Sequence, residues 1–305
     1  MTVDPSLDVG ALETEQTNPN TADIDRMSAL EIARLMNAED ARVAAAIEQE
    51  LPRIARAIEA IVERLRQGGR LIYVGAGTSG RLGALDASEC PSTFNTPPEL
   101  VVGWVAGGLD ALTWPADDVE DRADSGQADS ERLAVDARDV VVGITASGRT
   151  PYVLGAVAYA RAHGALTIGL AGNPDSPLEA ASDLVIAPRV GPEVIAGSTR
   201  LKAGTAQKMV LNMLSTGAMI LLGKTFGNLM VDVRPTNAKL RRRALGIVQR
   251  ATGLDEQAAE ALLRATGDDT KVAILAACAH LEPATARARL AAHGGSIRAA
   301  LDAAR

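Results

Sequence analysis

Two short turns carry the residues best suited to chemistry. The first lies in LIYVGAGTSGRLGALDASEC (residues 71–90), where Gly75, Gly77 and Gly80 surround Thr78 and Ser79. An apolar run, Leu71–Val74, precedes this turn, and helical spacing through Leu82 and Leu85 follows it. A strand, a glycine turn and a helix start expose unpaired amide N–H groups at the positive end of a helix dipole, which is an anion site. The second turn, Thr145-Ala146-Ser147-Gly148-Arg149-Thr150, follows Ile144 and leads into Pro151, a residue suited to the first turn of a helix. Three hydroxyls beside one glycine exceed what a helix cap needs, although capping alone is the plainer reading. The candidate anion ligands are Gly77, Thr78, Ser79 and Gly80 in the first turn and Thr145, Ser147, Gly148 and Thr150 in the second. Glu89, expected about one turn past the first helix and at the edge of the same pocket, adds an acid. A phosphate anchor with an acid nearby points to chemistry on a small phosphorylated molecule.

Further candidates lie downstream. Glu193 follows Val190-Gly191-Pro192, and Ser198 is expected to open a long helix. Ser198, Lys202, Thr205, Met209 and Asn212 then fall on one stripe of that helix. Such a stripe either lines a site or is hydrogen-bonded core, and Lys202 is its natural contact for an anionic substrate. The spacing Gly75-x-Gly77-x-x-Gly80 also matches the dinucleotide fingerprint, but that motif needs an acid at the far end of the next strand. Glu99 instead precedes the next strand, which ends in Ala106-Gly107-Gly108.

The elements that must position these turns follow from the hydrophobic pattern. Strands are expected at Leu71–Val74, Leu100–Val105, Asp139–Ile144, Ala165–Leu170 and Leu184–Ala187, with helices between most of them. Alternation of this kind predicts an α/β fold, a doubly wound parallel five-stranded sheet flanked by helices, with ligands beyond the strand carboxyl ends. Residues 1–20 are polar and aperiodic and are expected to be extended or disordered. Helices follow from near Met27, over 38–49, and from Pro52 through Ile54, Ile58, Ile61, Val62 and Leu65 to Gly68-Gly69. These belong with the main domain, 21–250. Residues 251–305 read as four short amphipathic helices, a small helical (UBA-like) module. The run Arg241-Arg242-Arg243 reads as a solvated helix face.

Composition narrows the class. The chain has 305 residues, 31 Lys and Arg against 38 Asp and Glu, and a net charge of −7, which does not favour nucleic acid. Two Trp, three Tyr and two Phe are too few for a base-stacking platform. Cys90 and Cys278 are far apart and fit a reducing compartment. His163, His280 and His293 fall in no zinc spacing. The most apolar window, Met209–Leu222, is broken by Asn212, Ser215 and Thr216 and is too short to span a bilayer. With no leader-like start, the expectation is a soluble cytoplasmic protein that meets neither membrane nor nucleic acid.

With both turns in hand, the chain resembles the sugar isomerase (SIS) phosphosugar-binding family. The resemblance rests on residues 71–94, on GITASGRTPYV (143–153), on VGPEVIAGSTRLKAGTAQKMVLNMLSTGAMI (190–220) and on GNLMVDVRPTNAKL (227–240). It extends to NPNTADIDRMSALE near the start and to the C-terminal helices, and it is narrowest toward members that act on muramyl sugars. It implies the SIS fold and cleavage of the D-lactyl ether of N-acetylmuramic acid 6-phosphate, giving N-acetylglucosamine 6-phosphate and D-lactate in cell-wall sugar recycling. It further implies a homodimer with no metal or organic cofactor, and two functional glutamates at Glu89 and Glu120. Three positions depart from the family pattern: Thr17 stands where Arg is usual, Asn95 where Gly is usual, and Pro115 interrupts a run favourable to helix. Two rivals share the phosphate turns. One is a non-catalytic sugar-phosphate-binding regulator of the glucokinase regulatory protein type; the other is a phosphosugar isomerase, which needs no acid aimed at C3.

Overall fold

The computed structural model describes residues 12–114, 117–233 and 237–303. Pro115, singled out in the sequence, lies outside the described residues. The chain divides into two compact units, one through Ser88 with Glu99–Ser215 and one of Glu89–Pro98 with Thr216–Arg305.

The first unit is built on five parallel strands, β1 (Leu71–Gly75), β2 (Val101–Val105), β3 (Val140–Thr145), β4 (Leu166–Ala171) and β5 (Leu184–Ile186), in the order β2-β1-β3-β4-β5. Every strand predicted from the apolar runs is present, with ends shifted by no more than one residue. β1 and β3 are buried along their whole length, as strands covered on both faces must be. The chain leaves β1 for β2 on one side and returns to β3 on the other. The direction of winding therefore reverses between β1 and β3, and a crevice opens there beyond the strand ends. Register sets the two ends level, Gly75 opposite Ile144.

Helices α1 (Ala29–Asp40), α2 (Arg42–Glu48) and α3 (Leu51–Arg66) precede the sheet. Ser28 caps α1 in a reciprocal capping box with Glu31, so the first helix runs past Asn37, where the sequence suggested a second beginning. α3 buries Ile54, Ala57, Ile61, Val62 and Leu65, the face its spacing predicts. After β1 comes α4 (Gly77–Phe94), after β2 the short α5 (Asp117–Glu120) and α6 (Ala123–Arg132), and after β3 the helix α7 (Pro151–Ala162). Tyr152, Val153, Ala156, Val157 and Ala160 of α7 pack on Ile72, Val74 and Val141 of the sheet. α8 (Pro177–Ala181) follows β4, and α9 (Lys202–Leu221) follows β5. α9 begins at Lys202, not Ser198, because residues 198–201 turn before the helix starts.

Glycines let α4 lie against the sheet. A Cβ on Gly80 would stand 2.4 Å from the Gly75 carbonyl oxygen, and one on Gly103 would stand 2.4 Å from Cα of Ala84. The backbones touch where other helices are held off by side chains.

Two expectations need correction. Residues 12–20 are not extended or disordered: 13–15 and 19–21 form single helical turns, and Leu12, Thr14 and Asn18 are buried. A domain boundary at 250 also misplaces one helix. α10 (Ala238–Thr252) belongs to the second unit with α11 (Glu256–Ala265), α12 (Thr270–Ala279), α13 (Pro283–Ala292) and α14 (Ile297–Asp302). Its Ala244, Ile247 and Val248 share one apolar core with Leu263, Val272, Ile274 and Ile297. A short hairpin, β6 (Thr225–Phe226) and β7 (Leu229–Met230), completes that unit, and Asp232 lies 3.2 Å from the Lys224 ammonium and 2.8 Å from that of Lys271.

Gly103→Ala forces α4 off the sheet. The expected cost is about 1–3 kcal/mol of unfolding free energy, read from a lower urea midpoint with unchanged slope.

Candidate active site

The first turn is set by Gly77, which opens α4 with φ +52°. A left-handed residue at this point swings the chain from β1 into the helix, and only glycine adopts it without strain. Gly77 is exposed, Thr78 half-buried and Ser79 buried. The first N–H groups of any helix lack an intrahelical partner, so this end of α4 presents donors at the crevice. Ser79 Oγ donates to Gln207 Oε1 of α9 at 2.9 Å, while Gln207 Nε2 is buried without a hydrogen-bond partner among the described residues. Gly80 is a packing residue whose missing side chain lets α4 reach Gly75.

The second turn holds its hydroxyls together. Thr145 Oγ1 lies 2.7 Å from Thr150 Oγ1 and 3.2 Å from Ser147 Oγ, which accepts the Arg149 amide at 3.2 Å. Thr150 is the N-cap of α7 but its side chain makes no cap bond, so the hydroxyl cluster is not spent on capping. Gly148 has φ +72°, and a Cβ there would stand 2.4 Å from the Ser176 side chain. Asn173 braces the loop, donating to the Ala146 carbonyl at 2.9 Å and to Thr14 Oγ1 at 3.1 Å. Both turns thus stand at adjacent strand ends, either side of the crevice.

Lys202 is paired within the protein. It is buried, and its ammonium donates to Glu39 Oε2 at 2.6 Å. Asn18 and Asn20 donate to the same carboxylate at 2.9 and 3.1 Å. Burial pushes the Glu39 carboxyl up, but the bonds from Lys202, Asn20 and Asn18 outweigh it and hold it at about 2. Glu193 is also spent. Its two oxygens accept the Lys202 and Ala203 amides, each at 2.9 Å, so a protein carboxylate fills the N-terminus of α9. Burial raises the Glu193 carboxyl, against the lowering effect of those two amides. Thr21 and Asn18 donate to the Val194 and Pro192 carbonyls, so the N-terminal segment clasps this loop.

Of the polar stripe expected on α9, Lys202 and Asn212 are held in hydrogen bonds within the protein. Asn212 and Ser215 donate to Asp86 Oδ1 at 2.6 and 3.1 Å, and Tyr73 donates to Asp86 Oδ2 at 3.0 Å. Thr205 turns to solvent and donates to the Leu201 carbonyl, and Ser198 sits in the turn before the helix. An ideal Cβ on Gly204, in the first turn of α9, would lie 3.5 Å from the Thr78 methyl, so α9 packs behind the first turn.

Glu89 lies inside α4, not beyond it, because the helix continues through Pro91 to Phe94. Ten residues separate it from Ser79, about 15 Å along the axis, and it is exposed. Glu120 is exposed at the end of α5. Asn95 adopts φ +51°, the conformation that makes Gly usual there and Asn acceptable. Glu39, Asn18, Asn20, Asp86 and Gln207 were missed in the sequence. The pairing Asn18…Glu39…Lys202 has no local pattern in the sequence.

The fold and the two turns define a SIS-domain protein. Residues 119–217 match the SIS domain, 53–161 the glucokinase regulatory protein N-terminal SIS domain, and 227–290 the C-terminal lid domain of glucokinase regulatory protein. An N-acetylmuramic acid 6-phosphate etherase of Rubrobacter xylanophilus is 57% identical over 96% of this chain and 97% of its own. One from Cronobacter sakazakii is 52% identical over 97% of this chain and 99% of its own. A solved phosphoheptose isomerase from Francisella tularensis superposes with a TM-score of 0.49 at 23% identity, over 64% of this chain and 100% of that one. The chain belongs to the N-acetylmuramic acid 6-phosphate etherase family.

Removing Lys202 strands a buried carboxylate. Lys202→Met is expected to cost about 3–5 kcal/mol, with part recovered when Glu39→Gln is added. The folded Glu39 carboxyl titrates below its unfolded value of 4.5. Its contribution is therefore complete above that value and lost as pH falls toward about 2. Urea midpoints of Glu39→Gln should fall less steeply than wild type across that window.

Proposed function

We propose that the chain cleaves the D-lactyl ether of N-acetylmuramic acid 6-phosphate, giving N-acetylglucosamine 6-phosphate and D-lactate, as a cytoplasmic step in amino-sugar recycling. The observation that carries the reading is the pair of hydroxyl-bearing glycine turns at the ends of β1 and β3, in a chain of the etherase family. Amide N–H groups of α4 and the hydroxyls of Thr78, Ser79, Thr145, Ser147 and Thr150 are the phosphate ligands in this reading. If the Gln207 amide turns over, its unspent Nε2 donates to Ser79 Oγ and leaves the serine proton for a phosphate oxygen.

In the open-chain sugar the C2 proton is acidified by the C1 aldehyde. A base removes it, the C2–H electrons form the C2=C3 double bond, and the C3–O bond breaks. The departing lactyl oxygen takes a proton from a carboxylic acid, assistance worth roughly 10²–10⁴-fold. Water then adds its oxygen to C3 and a proton returns to C2. We assign Glu89 as the acid that protonates the lactyl oxygen and afterwards activates water, and Glu120 as its assistant at C2.

The position of Glu89 supports a homodimer. A hexose phosphate is shorter than the stretch of about 15 Å between Ser79 and Glu89 along α4, so a second copy seated on this face is the better source of the acid. The surface suits such a copy. Leu85, one turn before Glu89, is 53% exposed, and Leu109 and Trp114 are 84% and 72% exposed. Arg81 of α4 holds the Leu109–Trp114 segment beside this face, donating to the Ala111 and Trp114 carbonyls at 2.9 and 3.3 Å. Water-facing apolar side chains gathered in this way mark an interface.

Glu89→Gln should abolish D-lactate release from N-acetylmuramic acid 6-phosphate while product affinity stays within about threefold of wild type, an expectation drawn from the transition-state role of the acid. Full lactate release would remove Glu89 from the mechanism, and absence of release by the wild-type protein would favour the regulator or isomerase reading. Leu85→Glu with Trp114→Glu should convert the protein to monomer in sedimentation and lower activity in parallel.

A further inference from the structure

The phosphate site described so far has hydroxyls and amides but no cation, because Lys202 is consumed by Glu39. Two cations belong to the turns themselves, Arg81 and Arg149. Arg81 is spent on the Ala111 and Trp114 carbonyls. Arg149 is not. Its Nε and Nη1 are both buried and have no hydrogen-bond partner among the described residues. Its backbone amide is bonded to Ser147 Oγ, so the residue is fixed within the hydroxyl cluster. A guanidinium stays charged at any physiological pH, and withdrawing its donors from water without an acceptor is costly. Such buried donors call for an acceptor, and a bound anion is one that supplies it.

Resting on the phosphosugar reading of this site, we propose that Arg149 is the counter-charge of the substrate phosphoryl group. Its Nε–H and Nη1–H lie on opposite edges of the guanidinium, and each has no acceptor among the described residues and can donate to a phosphoryl oxygen. The hydroxyls of Thr145, Ser147 and Thr150 orient the group, and Arg149 neutralises it. Ligand-free protein therefore carries unpaired donors that the bound phosphate satisfies.

Calorimetric titration with N-acetylglucosamine 6-phosphate and with N-acetylglucosamine, on wild type, Arg149→Met and Arg149→Lys, tests this. For the phosphorylated sugar, Arg149→Met should raise Kd roughly 10–100-fold. Arg149→Lys should raise it less, since charge is kept and the planar guanidinium donors are lost. Affinity for the unphosphorylated sugar should not change. The ligand-free Met variant should also melt at a higher temperature than wild type, which the loss of a purely structural arginine would not produce. Equal Kd values for the phosphorylated sugar in wild type and a folded variant would overturn the assignment; if the Met variant does not fold, the Lys variant decides. Weakened binding of the lactyl-bearing 6-phosphate with unchanged binding of N-acetylglucosamine 6-phosphate would assign Arg149 to the lactyl carboxylate, which also overturns it. Failure of the wild-type protein to bind either phosphosugar would sink the site reading itself and Arg149 with it, whereas failure confined to the variant comparison sinks Arg149 alone.

Discussion

Pairing of β1 with β3 is the constraint on which the rest of the structure depends. These strands are separated in sequence by a whole strand and three α-helices, yet Gly75 comes opposite Ile144. Each strand ends in a glycine-containing turn, so the pairing converts two remote segments into two walls of one crevice. Parallel strands cannot be joined tightly, and the helices that cross between them supply the N-termini that face that crevice. The close seat of α4 sharpens the arrangement. Glycines at 75, 80 and 103 remove the layer of side chains that would otherwise lift its first turn away from the strand end.

Buried charge is handled differently on the two sides of this crevice. Behind the first turn, the buried charges of Lys202, Glu39, Glu193 and Asp86 meet partners within the protein. Lys202 and Glu39 pair, Glu193 caps α9, and Asp86 accepts from Tyr73, Asn212 and Ser215. Removal of such groups from water is tolerable only because each acceptor meets donors at short range. In the second turn, by contrast, the hydroxyls bond only to one another and to a single amide, and Arg149 keeps two donors unspent. Charges paired behind one turn and donors left over in the other is the division expected of a preorganised anion site.

The N-terminal segment illustrates how a polar stretch becomes structural. Residues 12–21 have no apolar periodicity, so nothing local holds them. They are ordered through side chains, with Asn18 and Asn20 on Glu39, Thr21 on the Val194 carbonyl and Thr14 on Asn173. Through Asn173 the same segment touches the loop that carries the second turn.

Much of this was legible without coordinates. Apolar runs bounded by glycine and polar residues placed all five strands, because a strand buried on both faces must be continuous in hydrophobicity. Both turns were visible as glycine and hydroxyl clusters at strand ends, since those are the residues a tight, anion-facing backbone requires. Asn95 at a left-handed position was foreseeable for the same reason. What the tertiary structure alone decided is which polar groups remain free. Lys202, Glu193 and Asn212 have the composition of a binding site, but partners 163, 9 and 126 residues away consume them. Hydrogen bonding at such separations leaves no periodic trace. Propensity and pattern report a residue's own segment, whereas the availability of a charge depends on what the fold brings against it.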